Sequence, residues 1–258
     1  MSDDKFELML SKLEGSDYLE NASDGGGGTP LLSLVQPMSE LAQAGEAKPG
    51  QVVFLPTGVV LCEAGASFPV IPLYYWSGRT LFPPRDQGSN IICSSPDGVI
   101  GMGLPGGKCV SCPKAVWQNS TPPDCMNSHN FAVYMPEAPE EERLGIAKFA
   151  RSSHKCGGAF LTRLNGLRAT PPFANAFRLG SKLEEKNGNK YWVFSMEAWE
   201  DTGRLEKQLD KYTDQFESLF GTCKELADKV KADHNDLVAA ISGAGTPQLG
   251  VGDNEVPF

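Results

Sequence analysis

Between Gln51 and Ala198 the chain is written in short apolar runs of β-branched and aromatic residues: QVVFL, VVLCE, FPVIPLYYW, then FAVYM at 131–135 and LGIAKFA at 144–150. Runs of this length, broken by proline, glycine and asparagine, read as strands joined by tight turns, because a period of two places alternate side chains on one buried face. The sharpest local signal is KNGN at 186–189. Asn187 and Gly188 tolerate the positive φ angles of a type I′ turn, so Ala176–Leu183 and Lys190–Ala198 are predicted to pair as a hairpin. Several short strands with such turns predict an antiparallel barrel or sandwich.

After Trp199 the period changes to about 3.6. Asp201 or Thr202 can cap a helix whose apolar stripe runs Leu205, Leu209, Tyr212, Phe216, Leu219, Phe220, Cys223, Leu226, Val230, Leu237 and Ile241, and Gly221 with Thr222 marks a place where it divides in two. The expected use of this stripe is packing on the strands; the alternative is a dimerising or partner-binding helix, which leaves a homo-oligomer open. The expected organisation is a flexible acidic, glycine-rich arm over 1–29, a β domain over 30–200 carrying an insertion at 93–125, a helical segment over 201–242, and a flexible linker and acidic tip over 243–258. A short helix is expected after Met38.

The insertion is poor in large apolar residues and rich in glycine and proline. Its cysteines, Cys93, Cys109, Cys112 and Cys125, follow C-x15-C-x2-C-x12-C. A C-x2-C pair turns two thiolates onto one ion, and two distant thiolates complete the tetrahedron of a structural Zn²⁺ with no open position. Scattered buried thiols are the alternative. His129, four residues past Cys125, could replace one ligand, whereas Cys62 and Cys223 fall on apolar faces and Cys156 has no second pair. No run of about 18 apolar residues and no basic flank before a hydrophobic stretch occur, so neither a membrane helix nor a secretion signal is expected. A cytoplasmic setting, in which thiols stay reduced, follows from that expectation.

The formal charge of −9 argues at first against a polyanionic partner, yet the charges are segregated. From Arg143 to Leu183 the chain carries Arg143, Lys148, Arg151, Lys155, Arg163, Arg168, Arg178 and Lys182 with no acidic residue. Aromatic residues interleave with this island and with the strands before it. Cations neutralise phosphates without regard to sequence, and exposed rings stack on unpaired bases, so the combination predicts single-stranded DNA as the partner. The contacts expected are Tyr75, Trp76, Arg79, Arg143, Lys148, Arg151, Lys155, Arg163, Arg168, Arg178, Tyr191 and Trp192.

The last residues, DNEVPF, place Asp253 and Glu255 beside Val256, Pro257 and Phe258, after the glycine-bearing stretch SGAGTPQLGVG. This tip resembles that of bacterial single-stranded DNA-binding proteins, which close an acidic tail with an aliphatic residue, proline and phenylalanine. The resemblance covers about ten residues and implies docking of Pro257 and Phe258 into replication or recombination proteins, such as a helicase, polymerase, recombinase or nuclease, with Asp253 and Glu255 facing basic residues. It also implies a phage or bacterial host. With the strands, the insertion and the basic island, it points to an α+β chain built on an oligonucleotide-binding (OB-fold-like) antiparallel barrel with a zinc knuckle and a C-terminal amphipathic helix. No enzyme is expected, since GxxxxGK[ST], H-E-x-x-H and G-x-S-x-G are all missing from the sequence. The alternatives are a zinc-containing protein-interaction adaptor and, third, a zinc-dependent nucleic-acid enzyme.

Overall fold

One long strand organises the rest. The computed structural model describes residues 30–55, 57–84, 91–119, 121–166, 171–198 and 216–243. Its strands are β1 (Leu31–Leu34), β2 (Val52–Phe54), β3 (Val59–Cys62), β4 (Ser67–Leu81), β5 (Cys93–Ser95), β6 (Ile100–Gly103), β7 (Gly107–Lys108), β8 (Met126–Tyr134), β9 (Leu144–Ala150), β10 (Phe177–Lys186) and β11 (Asn189–Ala198). Among the described residues three α-helices accompany them: α1 (Glu40–Gln43), α2 (His154–Gly166) and α3 (Phe216–Gly243). The 11-stranded sheet runs β3-β2-β1-β9-β8-β4-β5-β6-β7, with β10 joined to β4 and β11 to β10. It is open, and antiparallel except where β1 lies parallel to β9.

Strand β4 serves two partners in succession. Ser67–Val70 pair with β10, then Ile71–Thr80 pair with β8, with a register shift between Pro72 and Tyr74. Proline cannot donate to a ladder, and a bulge is one of the few places where a long strand admits it. The hairpin read from KNGN is present, with Asn187 at φ 53° and Gly188 at φ 76° linking β10 to β11.

Alternation makes the sheet centre apolar on both sides. On β8, Phe131 and Val133 face a first core with Phe149 of β9, Phe160 of α2, and Phe177 and Phe194 of the hairpin, while Ala132 and Tyr134 face a second. The first core is an aromatic array: Phe131 lies 4.6 Å from Phe160, and Phe160 lies 4.8 Å from Phe177, centroid to centroid. Each such ring contributes roughly 1.5–3 kcal/mol by its removal from water. The second core is closed by α3, whose Cys223, Ala227 and Val230 pack on Ile71, Leu73, Trp76 and Ile146. Helix α3 runs unbroken through Gly221 and Thr222, where a division was expected. The apolar stripe keeps its phase across the glycine, and its burial outweighs the roughly 1 kcal/mol that glycine costs a helix.

Helix α2 was not expected. It occupies part of the basic island, and its close packing depends on Gly157: a Cβ there would stand 2.6 Å from Phe149 Cβ and 2.9 Å from His129 Cβ. At Gly158 the nearest atom would be His129 Nε2 at 3.5 Å, an ordinary contact. Gly157→Ala should therefore lower the melting temperature by several degrees, overpacking costing about 1–3 kcal/mol against roughly 1 kcal/mol of helix propensity. Gly158→Ala should leave it unchanged or raise it. Thermal melts of the two variants check this, and equal behaviour would contradict the packing. Among the described residues, no helix is long and apolar enough to cross a membrane.

Candidate nucleic-acid interface and cysteine cluster

Along the second face of the sheet the side chains change character. Next to α3 they are apolar, but further along β4 they become Gly78 and Thr80, along β8 Asn130, Ser128 and Met126, and along β9 Lys148 and Ala150. Register brings them together: Gly78 opposes Ser128, Thr80 opposes Met126, and Asn130 opposes Lys148. Here a cleft of about 180 Å³ opens, lined by Thr80, Phe82, Met126, Ser128, Lys148 and Arg151. Lys148 Nζ donates to Thr80 Oγ1 at 3.4 Å. Exposed Arg151 sets its guanidinium 5.5 Å from the centroid of the Phe82 ring and donates from Nε to Met126 Sδ at 3.0 Å. Its backbone is left-handed, with φ 50°, a conformation that costs a side-chain-bearing residue energy and that concentrates at functional sites.

The expected DNA contacts do not form one groove. Lys148 and Arg151 meet at the cleft, and Lys155 and Arg163 are exposed on α2. Three arginines serve the fold instead. Arg79 Nη1 donates to Ala115 O at 2.9 Å, Arg143 Nε to Ala138 O at 3.2 Å, and Arg178 donates to Ser67 Oγ at 2.9 Å and Ser67 O at 2.6 Å. Trp76, 7 % exposed, is sealed in the second core, so it offers no face to a base. Tyr75 lies on the opposite face, its hydroxyl 3.0 Å from His129 Nδ1. Tyr191 is half-buried on β11. Trp192 covers Gly50, whose Cβ, were there one, would stand 2.5 Å from the indole. Arg168, Asp253, Glu255, Val256, Pro257 and Phe258 lie outside the described residues.

Four cysteines converge near the end of β4, around Leu81. Cys93 ends the β4–β5 connection and Cys125 precedes β8; both are buried with Leu81 and Ala115, and Cys112 packs against them. Cys109 is buried and begins a single 3-10 turn, Cys109–Ser111, which brings Cys112 N–H to Cys109 O at 3.2 Å. The loop is fastened by Cys125 N–H donating to Lys114 O at 2.8 Å and by the Arg79 bond to Ala115. Burial pushes the Cys125 thiol up to about 11, Arg79 pulls it back, and the thiols of Cys109, Cys93 and Cys112 add to the rise. Among the described residues, however, no three His, Cys, Asp or Glu side chains stand at metal-holding geometry. His129 is turned to the first face, its ring 4.4 Å from that of His154.

Burial, with His154 adding repulsion, lowers the His129 pKa. A histidine depressed in the folded state contributes its stability above the unfolded value of about 6.5, and that contribution is lost as pH falls toward and through the lowered value. Thermal stability should therefore decline from pH 7.5 to 5. The decline should be shallower in His129→Gln, which keeps a partner for Tyr75; identical slopes by calorimetry would refute the assignment.

Compared with protein-family models, curated proteins and solved structures, the chain matches none of them.

Thr80, Met126 and Ser128 were not among the expected contacts, and Phe82 was one of the interleaving aromatic residues without being singled out. Their sequence signal is faint: Thr80 follows Trp76 and Gly78 at period two, and Phe82 follows Thr80. Which face that row occupies, and what lies opposite, depends on pairing with Met126 and on the bond from Lys148, 68 positions away.

Proposed function

We propose that this protein binds single-stranded DNA without sequence preference and protects it during phage or bacterial replication, recombination and repair. The observation that carries this reading is the meeting of two cations, Lys148 and Arg151, with the Phe82 ring at one cleft on a sheet face. Phosphates need the first and unpaired bases the second. The open antiparallel sheet is read as an elaborated oligonucleotide-binding barrel. Lys155 and Arg163 are exposed on α2, which packs on the first face of the sheet, so the reading rests on the cleft and not on them. No catalytic role is assigned.

A structural zinc ion belongs to the proposal. Cys93, Cys109, Cys112 and Cys125 would hold it, and the ion would supply cross-linking of a loop with little core of its own; what supports this is the convergence of the four thiols. Asp253, Glu255, Val256, Pro257 and Phe258 would recruit a helicase, polymerase, recombinase or nuclease.

A second reading, a zinc-bearing protein-interaction adaptor, is favoured by Val110 and Trp117, 82 % and 66 % exposed on the cysteine segment. Titration with oligo(dT) and with duplex of equal length separates the two. Binding of the single strand, strongest at low salt, supports the first; no binding to either oligomer supports the adaptor.

A further inference from the structure

We infer that the cleft between Phe82, Thr80, Ser128, Lys148 and Arg151 seats one unpaired pyrimidine base, thymine in preference to cytosine, with a neighbouring phosphate on Arg151. This deepens the single-strand reading and rests on it.

The size of the cleft, about 180 Å³, admits one heterocycle and excludes a stacked pair. Its polar groups are biased toward donation. Lys148 is an ammonium donor, and because Thr80 Oγ1 accepts from Lys148 Nζ at 3.4 Å, the Thr80 hydroxyl proton is left to donate elsewhere. Arg151 brings further N–H groups, and no carboxylate pairs with it among the described residues. A donor-rich wall suits a base edge of carbonyl oxygens. Thymine offers two carbonyls and a methyl group, whereas cytosine places an amino donor where thymine has O4. The methyl group would face the apolar lining of Met126 and Phe82.

Stacking has a prepared surface too. The guanidinium of Arg151 already lies over the Phe82 ring, so a planar cation and an aromatic face stand at the mouth, and a base can stack on either. The donation from Arg151 Nε to Met126 Sδ at 3.0 Å holds the guanidinium at the mouth. The polar row on this face is itself buried at Thr80, Ser128 and Asn130, so a base edge entering here exchanges water for groups held in place by three paired strands.

The test uses the full-length protein with oligo(dT) and oligo(dC) of equal length, both lacking the strong self-stacking of purine runs. The wild type should bind oligo(dT) about tenfold more tightly, the scale of one discriminated base edge. Thr80→Val, nearly isosteric, should bring the ratio toward one while leaving the salt slope unchanged, and Phe82→Ala should weaken both ligands about tenfold. In the unaltered protein, a 5-bromodeoxyuridine oligomer should photo-crosslink to the peptides carrying Phe82 or Met126. Tight single-strand binding with no thymine preference, an unaffected Thr80→Val ratio and crosslinks elsewhere would overturn the seat and leave the DNA reading standing. Failure to bind either oligomer at low salt would overturn both.

Discussion

On the proposed zinc site, the unaltered chain should retain about one zinc ion per molecule, by the four-thiolate count, and serine at both Cys109 and Cys112 should abolish that retention. The variant should then lose protection from amide exchange across 93–125, where the segment's own buried apolar cluster consists of Leu81, Cys93, Ala115 and Cys125 with Cys112 against it. Structural zinc contributes apparent free energies of about 10–16 kcal/mol in small metal-folded peptides, far more than so small a cluster supplies. The two large cores, centred on Phe131 and on Trp76, share none of these residues. Exchange in β8, β9 and α3 should therefore change much less than exchange in the cysteine segment. Native mass spectrometry and hydrogen exchange measure both quantities. Protein purified without metal, with 93–125 as protected as before, would rule the zinc site out.

Charge reversal at Lys148 and Arg151 together should weaken oligo(dT) binding by more than tenfold near 50 mM salt. It should also flatten the dependence of log affinity on log salt by about 0.7, the one phosphate contact given to Arg151 on a single strand. The matched control is Arg79→Gln, Arg143→Gln or Arg178→Gln. Those guanidiniums donate to the carbonyl oxygens of Ala115, Ala138 and Ser67, so their loss should lower stability with the salt slope intact. A slope unchanged by reversal at the cleft, or flattened equally by the three controls, would remove Lys148 and Arg151 from the interface.

The contrast between those two groups of cations shows how far the basic island could be read beforehand. That 143–183 is cationic and free of acid is plain from the residues alone. Which cations face solvent depends on local roles that composition does not encode. Arg143 and Arg178 donate to backbone carbonyls of Ala138 and Ser67, and Lys155 and Arg163 ride on a helix that the sequence reading did not expect. Gly157 and Gly158 in mid-segment argue against helix by propensity, yet Cys156, Phe160 and Leu164 recur every four residues and pack on the first core. That spacing was the available signal. Tertiary packing overrode the propensity, since only glycine allows α2 to approach Phe149 so closely.

Local chemistry, acting over a few residues, was enough to specify the strand runs, the Asn187–Gly188 hairpin and the amphipathic stripe of α3, because turn stereochemistry and side-chain period are properties of neighbours in the chain. The sheet order, the parallel entry of β1 beside β9 and the cleft itself were decided only in three dimensions. Thr80, Ser128 and Lys148 become neighbours through strand register, and register is chosen by how two apolar faces bury at once against α2 and α3, a long-range balance that no short window contains.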